Sequence, residues 1–127
     1  MQVTMISAAL LGMLLIVLGA RVIAIRLKDR VSLGDGGNGL LLSRIRAHGN
    51  CVEWAPIGLI LLFLTEQAYG KPWFVLVLAA MLVIGRTIHP LGLRKLEPNA
   101  ARAGGMMLTL FSIGVMALLL LVHALRL

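Results

Sequence analysis

Four long apolar stretches, separated by short polar connections, set the pattern of hydrophobic and polar positions along the chain. About 20 apolar residues in a helix cross the roughly 30 Å hydrocarbon core of a bilayer, and each stretch is close to that length. The pattern predicts an all-α fold, an integral membrane four-helix bundle that forms one domain over residues 1–127. The four predicted spans are 3–25, 51–69, 72–93 and 104–123.

The second and third stretches are too short to cross a bilayer without polar residues. Trp54–Thr65 has no charged residue over 12 positions, and Pro72–Gly85 has none over 14. At about 1.5 Å per residue, the first of these covers only about 18 Å of a core about 30 Å thick. Both helices must therefore carry polar side chains to membrane depth, where such groups are costly and usually functional.

The second helix is predicted to begin near Leu40 and to continue to Tyr69. Pro56 lies inside it and predicts a kink, because proline removes one backbone hydrogen bond of the helix. The turn at residues 70–72 is short, so the second and third helices should be antiparallel neighbours.

Composition and charge favour a membrane protein over a soluble one. Hydrophobic residues make up 60% of the chain and charged residues 13%, and a soluble domain of this length could not bury so much apolar surface. The net charge is +7, and most of the basic residues lie in the first and third connections. The positive-inside rule therefore predicts that both connections face the cytoplasm, with both termini on the far side.

No nucleic-acid-binding motif accompanies the charge, so a nucleic-acid partner is not expected. The basic residues are Arg26, Lys28, Arg30, Arg44 and Arg46 in the first connection and Arg94, Lys95 and Arg102 in the third, while Glu66 and Lys71 cancel in the second.

Polar side chains recur at helical spacing on the second and third helices. Arg46, Asn50 and Glu53 follow each other at i, i+4 and i+7, which places them on one stripe of the second helix. Arg86 and His89, at i and i+3, share a stripe of the third helix. Counted from the glycine of the turn, Glu53 lies 17 residues before it and Arg86 lies 16 residues after it, so their depths should nearly match. Because lipid cannot accommodate such stripes, we expect them to face each other or a neighbouring subunit.

The simplest contact between these stripes is an ion pair of Glu53 with Arg86, which would satisfy both charges. Such a pair has a plain structural interpretation, since it could simply lock the two helices together. The excess of positive charge argues for more, because Arg46, Arg86 and Arg102 lie on the same side of the membrane and one carboxylate cannot neutralise all three. We therefore expect an anion between the helices, either a lipid phosphate or a small ligand with several negative charges.

Other chemistries find less support in the sequence. His48 and His89 have no third ligand at a fixed spacing, and the neighbouring arginines would repel a cation, so no metal site is expected. Cys51 is the only cysteine, which excludes an internal disulfide and gives no metal-binding spacing. No serine or threonine has an evident base beside it, so a hydrolytic triad is not expected.

The segment that opens the second span resembles the signature of the MAPEG family, the membrane-associated proteins in eicosanoid and glutathione metabolism. The pattern R-x-H-x-N-x-x-E-x-x-P is matched in full by Arg46, His48, Asn50, Glu53 and Pro56. The length of the chain and its number of spans are similar to those of the short bacterial members. The resemblance implies a homotrimer of four-helix subunits in a bacterial inner membrane.

The resemblance also implies a ligand and its site. In the family, glutathione lies between adjacent subunits near the cytoplasmic side, and an arginine of the fourth helix, matched here by Arg102, stabilises its thiolate. The chemistry is compatible, because arginine recognises carboxylates well and a cation beside a thiol favours the reactive thiolate. The implied glutathione-binding residues are Arg46, His48, Asn50, Glu53, Arg86 and His89, with Arg102 as the catalytic residue.

Three functions compete on these observations. The first is a glutathione S-transferase-like or peroxidase-like enzyme that acts on lipophilic electrophiles, with membrane lipids and further copies of the chain as its other partners. The second is a membrane protein that binds glutathione or a lipid without catalysis, since Leu93 stands where several catalytic members have a tyrosine. The third, a small proton-coupled exporter, is disfavoured because Glu53 lies among arginines at one end of the second helix.

Overall fold

The computed structural model describes residues 1–93, Glu97 and 99–126, and that part of the chain forms four helices and no strand. Each helix has the length and the apolar composition needed to cross a membrane. The predicted all-α fold with four membrane helices is therefore confirmed, and the chain is a multi-pass integral membrane protein. The helices are α1 (Gln2–Asp29), α2 (Gly39–Tyr69), α3 (Trp73–Gly92) and α4 (Ala100–Leu125).

Asparagine side chains cap the beginnings of α2 and α4. Asn38 Oδ1 accepts hydrogen bonds from the backbone N–H groups of Leu40 at 2.9 Å and Leu41 at 3.2 Å. Asn99 Oδ1 accepts one from the backbone N–H of Arg102 at 3.1 Å. Asparagine suits this position because its oxygen binds N–H groups that no carbonyl of the helix can reach. The predicted beginning of the second helix near Leu40 is right to within one residue.

The helices α2 and α3 form the short antiparallel hairpin that the sequence predicts. Gly70 follows α2 with a φ of 77°, in a region of backbone conformation that favours glycine. Both helices contain a proline, Pro56 in α2 and Pro90 in α3, and both continue through it. Residues at equal distances from Gly70 therefore lie at similar depths in the bundle.

The most extensive helix contact is between α3 and α4, and two glycines make it possible. A Cβ atom added at Gly85 would lie 2.7 Å from both the carbonyl oxygen of Gly105 and Thr109 Oγ1. A Cβ atom added at Gly105 would lie 2.7 Å from the carbonyl oxygen of Gly85. Any larger residue would separate the two backbones, so the glycines keep α4 against the polar part of α3.

Buried apolar side chains form two clusters at different levels of the bundle. The cluster nearer the α2–α3 hairpin includes Leu62, Val75 and Met116. The other includes Leu11 and Leu82, and it lies nearer the polar end of the bundle, where α3 ends.

Candidate functional site

Two adjoining clefts open between α2, α3 and α4 at the end of the bundle that carries the α1–α2 and α3–α4 connections. Their volumes are 160 Å³ and 310 Å³. Asn50 of α2, His89 of α3 and Arg102 of α4 line both clefts, so the two form one site, which we call the polar cleft. Its other lining residues are Leu42, Ser43, Arg46 and Leu93 in the first part and Asn99, Ala103 and Met106 in the second.

The α2 wall of the polar cleft follows from helical spacing and one buried hydrogen bond. Leu42, Arg46 and Asn50 are four residues apart, so they share one face of the helix. The hydroxyl of Ser43 donates a hydrogen bond to the backbone carbonyl of Leu93. This bond fastens α2 to the end of α3 and fixes the first part of the cleft.

A tight junction between the end of α3 and the start of α4 forms the opposite wall. Gly92 has no side chain, and a Cβ atom there would overlap the backbone nitrogen of Arg102. Asn99 Nδ2 donates a hydrogen bond of 2.6 Å to the carbonyl of Gly92, while its oxygen caps α4. The junction brings Arg102 into the same cleft as the buried side chain of His89.

Arg86 lies behind Asn50, lines neither part of the cleft and is 1% exposed. Its Nε donates to Thr109 Oγ1 at 2.8 Å, and its Nη1 donates to Asn50 Oδ1 at 2.6 Å. Its Nη2 has only longer contacts, 3.5 Å to the carbonyl of Gly105 and 3.6 Å to Met106 Sδ. All these partners are neutral, so no described side chain compensates the guanidinium charge.

The predicted ion pair of Glu53 with Arg86 is wrong. Glu53 is exposed, and it makes no hydrogen bond or ion pair with the residues that the structure describes. Its depth matches that of Arg86, but its direction does not. Glu53 follows the buried Cys51 by two residues, about 200° round the helix, and therefore points away from the bundle. Asn50 occupies the position opposite Arg86 instead.

His48 also lies outside the polar cleft of its own chain. It is two residues from Arg46, about 200° round α2, and so it faces a different neighbour. Its Nε2 lies 3.5 Å from the position of a Cβ atom on Gly19, which means that the imidazole occupies the space that this glycine leaves in α1. Of the predicted site residues, the structure brings together Arg46, Asn50, Arg86, His89 and Arg102, and it separates His48 and Glu53 from them.

Sequence reasoning missed three polar residues of the site: Ser43 and Asn99, which line the cleft, and Thr109, which binds Arg86 behind it. A signal existed for Thr109, since it lies seven residues after Arg102, two turns along the same face of α4. The roles of Ser43 and Asn99 depend on carbonyl groups at the end of α3, and no spacing along the chain reveals those.

The chemistry of the polar cleft is suited to an anion. Arg46 and Arg102 line it, Arg86 lies directly behind it, and no aspartate or glutamate among the described residues lines it. Arginine binds carboxylates through paired hydrogen bonds, and Arg46 and Arg102 come from different helices, α2 and α4. A ligand with more than one negative charge would therefore find separate partners on α2 and α4.

Comparison with known proteins identifies the family of this chain. The sequence model of the MAPEG family matches residues 4–122, which include every residue of the polar cleft. Two curated relatives from Escherichia coli, strains K12 and CFT073, are both named inner membrane protein YecN. Each is 36% identical to this chain over 91 residues, which cover 72% of this chain and 70% of the relative. The chain belongs to the MAPEG family.

Proposed function

We propose that this protein binds glutathione in the polar cleft and joins its sulfur to lipophilic electrophiles that enter from the bilayer. The observation that carries the proposal is the charge of the cleft, because Arg46 and Arg102 line it, Arg86 lies behind Asn50, and no described acid lines the wall. Glutathione offers two carboxylates and a thiol, which are the groups that such a cleft can hold. Membership of the family supports the same ligand, because its characterised enzymes use glutathione.

The positions of the lining residues suggest their roles. Arg46, exposed at the rim, would bind a carboxylate, and Asn50 and His89 would hold the peptide by hydrogen bonds. Arg102, shared by both parts of the cleft, would stabilise the thiolate, because a nearby cation favours the charged form of a thiol. In the transfer the thiol proton leaves to solvent, a carbon–sulfur bond forms, and the bond to the leaving group breaks with its electron pair.

The proposal includes assembly as a homotrimer. Glu53 is exposed at membrane depth in the single chain, and an unpaired carboxylate that faces lipid is costly. A second copy packed against this face of α2 would cover the carboxylate. Light scattering of the purified protein in detergent should give the mass of three chains, and a monomer would contradict this part.

Catalysis is tested with purified protein, glutathione and the chlorinated aromatic electrophile chlorodinitrobenzene. We expect conjugate to form with release of chloride, and Arg102→Ala to lower kcat/KM about 100-fold, as the loss of one group that stabilises developing charge usually does. The matched control is Arg126→Ala, which removes an exposed arginine at the opposite end of α4. The proposed catalysis is wrong if no conjugate forms, or if both variants turn over like the wild type.

A second candidate is a glutathione-binding protein without catalysis, and Leu93 favours it. This apolar side chain lines the first part of the cleft, where several catalytic members have a tyrosine. In that case glutathione would raise the melting temperature in a saturable manner while no conjugate forms. A thermal-shift titration beside the turnover assay distinguishes the two candidates.

We also propose that the polar cleft faces the cytoplasm from the inner membrane. The basic residues of the α1–α2 connection support this orientation, and the two relatives are named inner membrane proteins. The native Cys51 is buried, so an introduced cysteine can report the side without strong background. In intact spheroplasts a membrane-impermeant maleimide should label Lys71→Cys, near the hairpin, but not Ser32→Cys, in the α1–α2 connection. The reverse pattern would contradict the orientation.

A further inference from the structure

Asn50 stands between the buried guanidinium of Arg86 and the polar cleft. Its Oδ1 accepts a hydrogen bond from Arg86 Nη1 at 2.6 Å, and its backbone carbonyl lies 3.4 Å from the same nitrogen. Its amide nitrogen makes no hydrogen bond to any described residue, although the side chain is half-buried in the cleft wall. The two ends of this amide thus have different surroundings.

The chemistry of arginine explains which end faces which way. A guanidinium has five N–H donors and no acceptor, so only the oxygen of an asparagine amide can bind it. Asn50 Nδ2, which carries two donors, is then left for the cleft. A neutral side chain thereby acts only as a donor toward a ligand, beside the cations Arg46 and Arg102.

Arg86 is itself held by Thr109 of α4. The fully buried hydroxyl of Thr109 donates to the carbonyl of Gly105 at 2.9 Å and accepts from Arg86 Nε at 2.8 Å. Because its single proton is used on the carbonyl, the oxygen presents lone pairs to the guanidinium. Gly85 keeps the space open, since a Cβ atom there would lie 2.7 Å from the hydroxyl. Thr109 lines neither part of the cleft.

We propose that Thr109 is a positioning residue for the polar cleft, and that it acts on the ligand through Arg86 and Asn50. Thr109 fixes the guanidinium at Nε, and the guanidinium fixes the amide oxygen at Nη1. The amide then directs Nδ2 toward a carboxylate of the bound peptide. The contact with the peptide rests on the proposed glutathione binding, whereas the orientation of Asn50 does not depend on it.

The test compares Thr109→Val, which keeps the shape of the side chain but removes the hydroxyl, with Thr109→Ser, which keeps the hydroxyl. Thr65→Val is the matched control. Thr65 is also fully buried and donates to the carbonyl four residues earlier, at 2.7 Å, but it lies 15 residues beyond Asn50 on α2. Calorimetry in detergent measures glutathione affinity, and ¹⁵N NMR observes the side-chain amide of Asn50. The chain has three asparagines, and the signals of Asn50 are those that Asn50→Asp lacks.

We expect Thr109→Val to weaken glutathione binding about tenfold, the effect of one hydrogen bond to a charged group, and to shift the amide signals of Asn50. Thr109→Ser and Thr65→Val should leave the glutathione affinity and the amide signals of Asn50 close to those of the wild type. If Thr109→Val changes neither quantity, the positioning role is wrong even when glutathione binds. If the wild type binds no glutathione but the amide signals respond as expected, the positioning role stands and the proposed function fails.

Asn50→Asp provides a second test that does not depend on the folding of Thr109→Val. The new carboxylate would pair with Arg86 and preserve the fold, but it would present an acceptor and a negative charge to the cleft. We expect a melting temperature no lower than that of the wild type and a glutathione affinity at least about tenfold weaker. Unchanged affinity would mean that the amide nitrogen is not the donor, and it would overturn the proposal.

Discussion

The two ends of the bundle each bury a charge, and the described residues neutralise only one of them. Glu66, near the hairpin, is 3% exposed and accepts from the ammonium of Met1 at 2.7 Å and from the backbone N–H groups of Val3 and Thr4 at 3.1 and 2.8 Å. The hydroxyl of Thr4 donates to it at 2.7 Å. Arg86, 1% exposed at the other end, has only neutral acceptors among the described residues.

The difference separates a charge that has a complete set of partners from one that has only neutral partners among the described residues. The first N–H groups of a helix have no partner inside the helix, and a carboxylate beside them also interacts favourably with the helix dipole. Glu66 therefore joins the beginning of α1 to the end of α2 in a closed network. No described group neutralises Arg86 in this way, and Arg46 and Arg102 add to the positive charge of that end. The anionic ligand proposed above would supply the missing negative charge from the polar cleft.

The largest expected effect is the loss of the closed network in Glu66→Gln. Both carboxylate oxygens accept hydrogen bonds, whereas an amide has one oxygen, and its nitrogen would face donors of α1. We expect the free energy of unfolding to fall by about 3 kcal/mol, as for a buried charge pair that loses one partner. Glu97→Gln is the control, since this carboxylate is exposed and its side chain has no partner among the described residues. Denaturant titration in detergent measures the free energy of unfolding of both variants. Equal losses would contradict the claim that the network of Glu66 stabilises the fold.

The next effect is a loss of ligand stabilisation in Arg86→Met. Glutathione at 100 times its Kd should stabilise the wild type by about 2.7 kcal/mol, and the variant should lose this gain. Its stability without ligand should fall by only about 1 kcal/mol, because removal of an uncompensated charge offsets the lost hydrogen bonds to Thr109 and Asn50. Thermal unfolding with and without glutathione measures the two quantities. A loss without ligand as large as that of Glu66→Gln would show that Arg86 is a structural charge too.

The environments of these two charges also show which features of the structure can be predicted from the sequence and which cannot. Apolar runs and the short turn predict the helices, their order and the matched depths of polar residues, because those depend on distance along the chain. The partners of Arg86 depend on how closely α3 approaches α4 at Gly85, which no local pattern reveals. From the sequence, Glu66 and Lys71 simply cancel in the second connection. In the structure Glu66 binds the ammonium of Met1 and groups at the beginning of α1, while Lys71 binds Gln2 Oε1 at 2.5 Å.

A Cβ atom at the crossing of α3 and α4 should affect stability and binding together. Gly85→Ala would place that atom 2.7 Å from Thr109 Oγ1 and from the carbonyl of Gly105, so the helices must separate and the hold on Arg86 weakens. We expect a loss of about 2 kcal/mol in unfolding free energy, typical of overpacking, with weaker glutathione binding. Gly114→Ala is the control, because a Cβ atom there meets no atom within 4 Å. If Gly85→Ala and Gly114→Ala have the same free energy of unfolding in denaturant, the close approach of α3 to α4 at Gly85 is wrong.

The smallest expected effect distinguishes two caps of the same type. Asn38→Ala and Asn99→Ala each remove an N-cap, and each should lose about 1 kcal/mol of unfolding free energy. Their side-chain nitrogens differ, since that of Asn38 binds Asp29 Oδ2 at 2.6 Å in the first connection, whereas that of Asn99 binds the carbonyl of Gly92 beside the cleft. Only Asn99→Ala should therefore weaken glutathione binding in calorimetry. If Asn38→Ala weakened it equally, general loss of stability rather than the local geometry of the cleft would govern affinity.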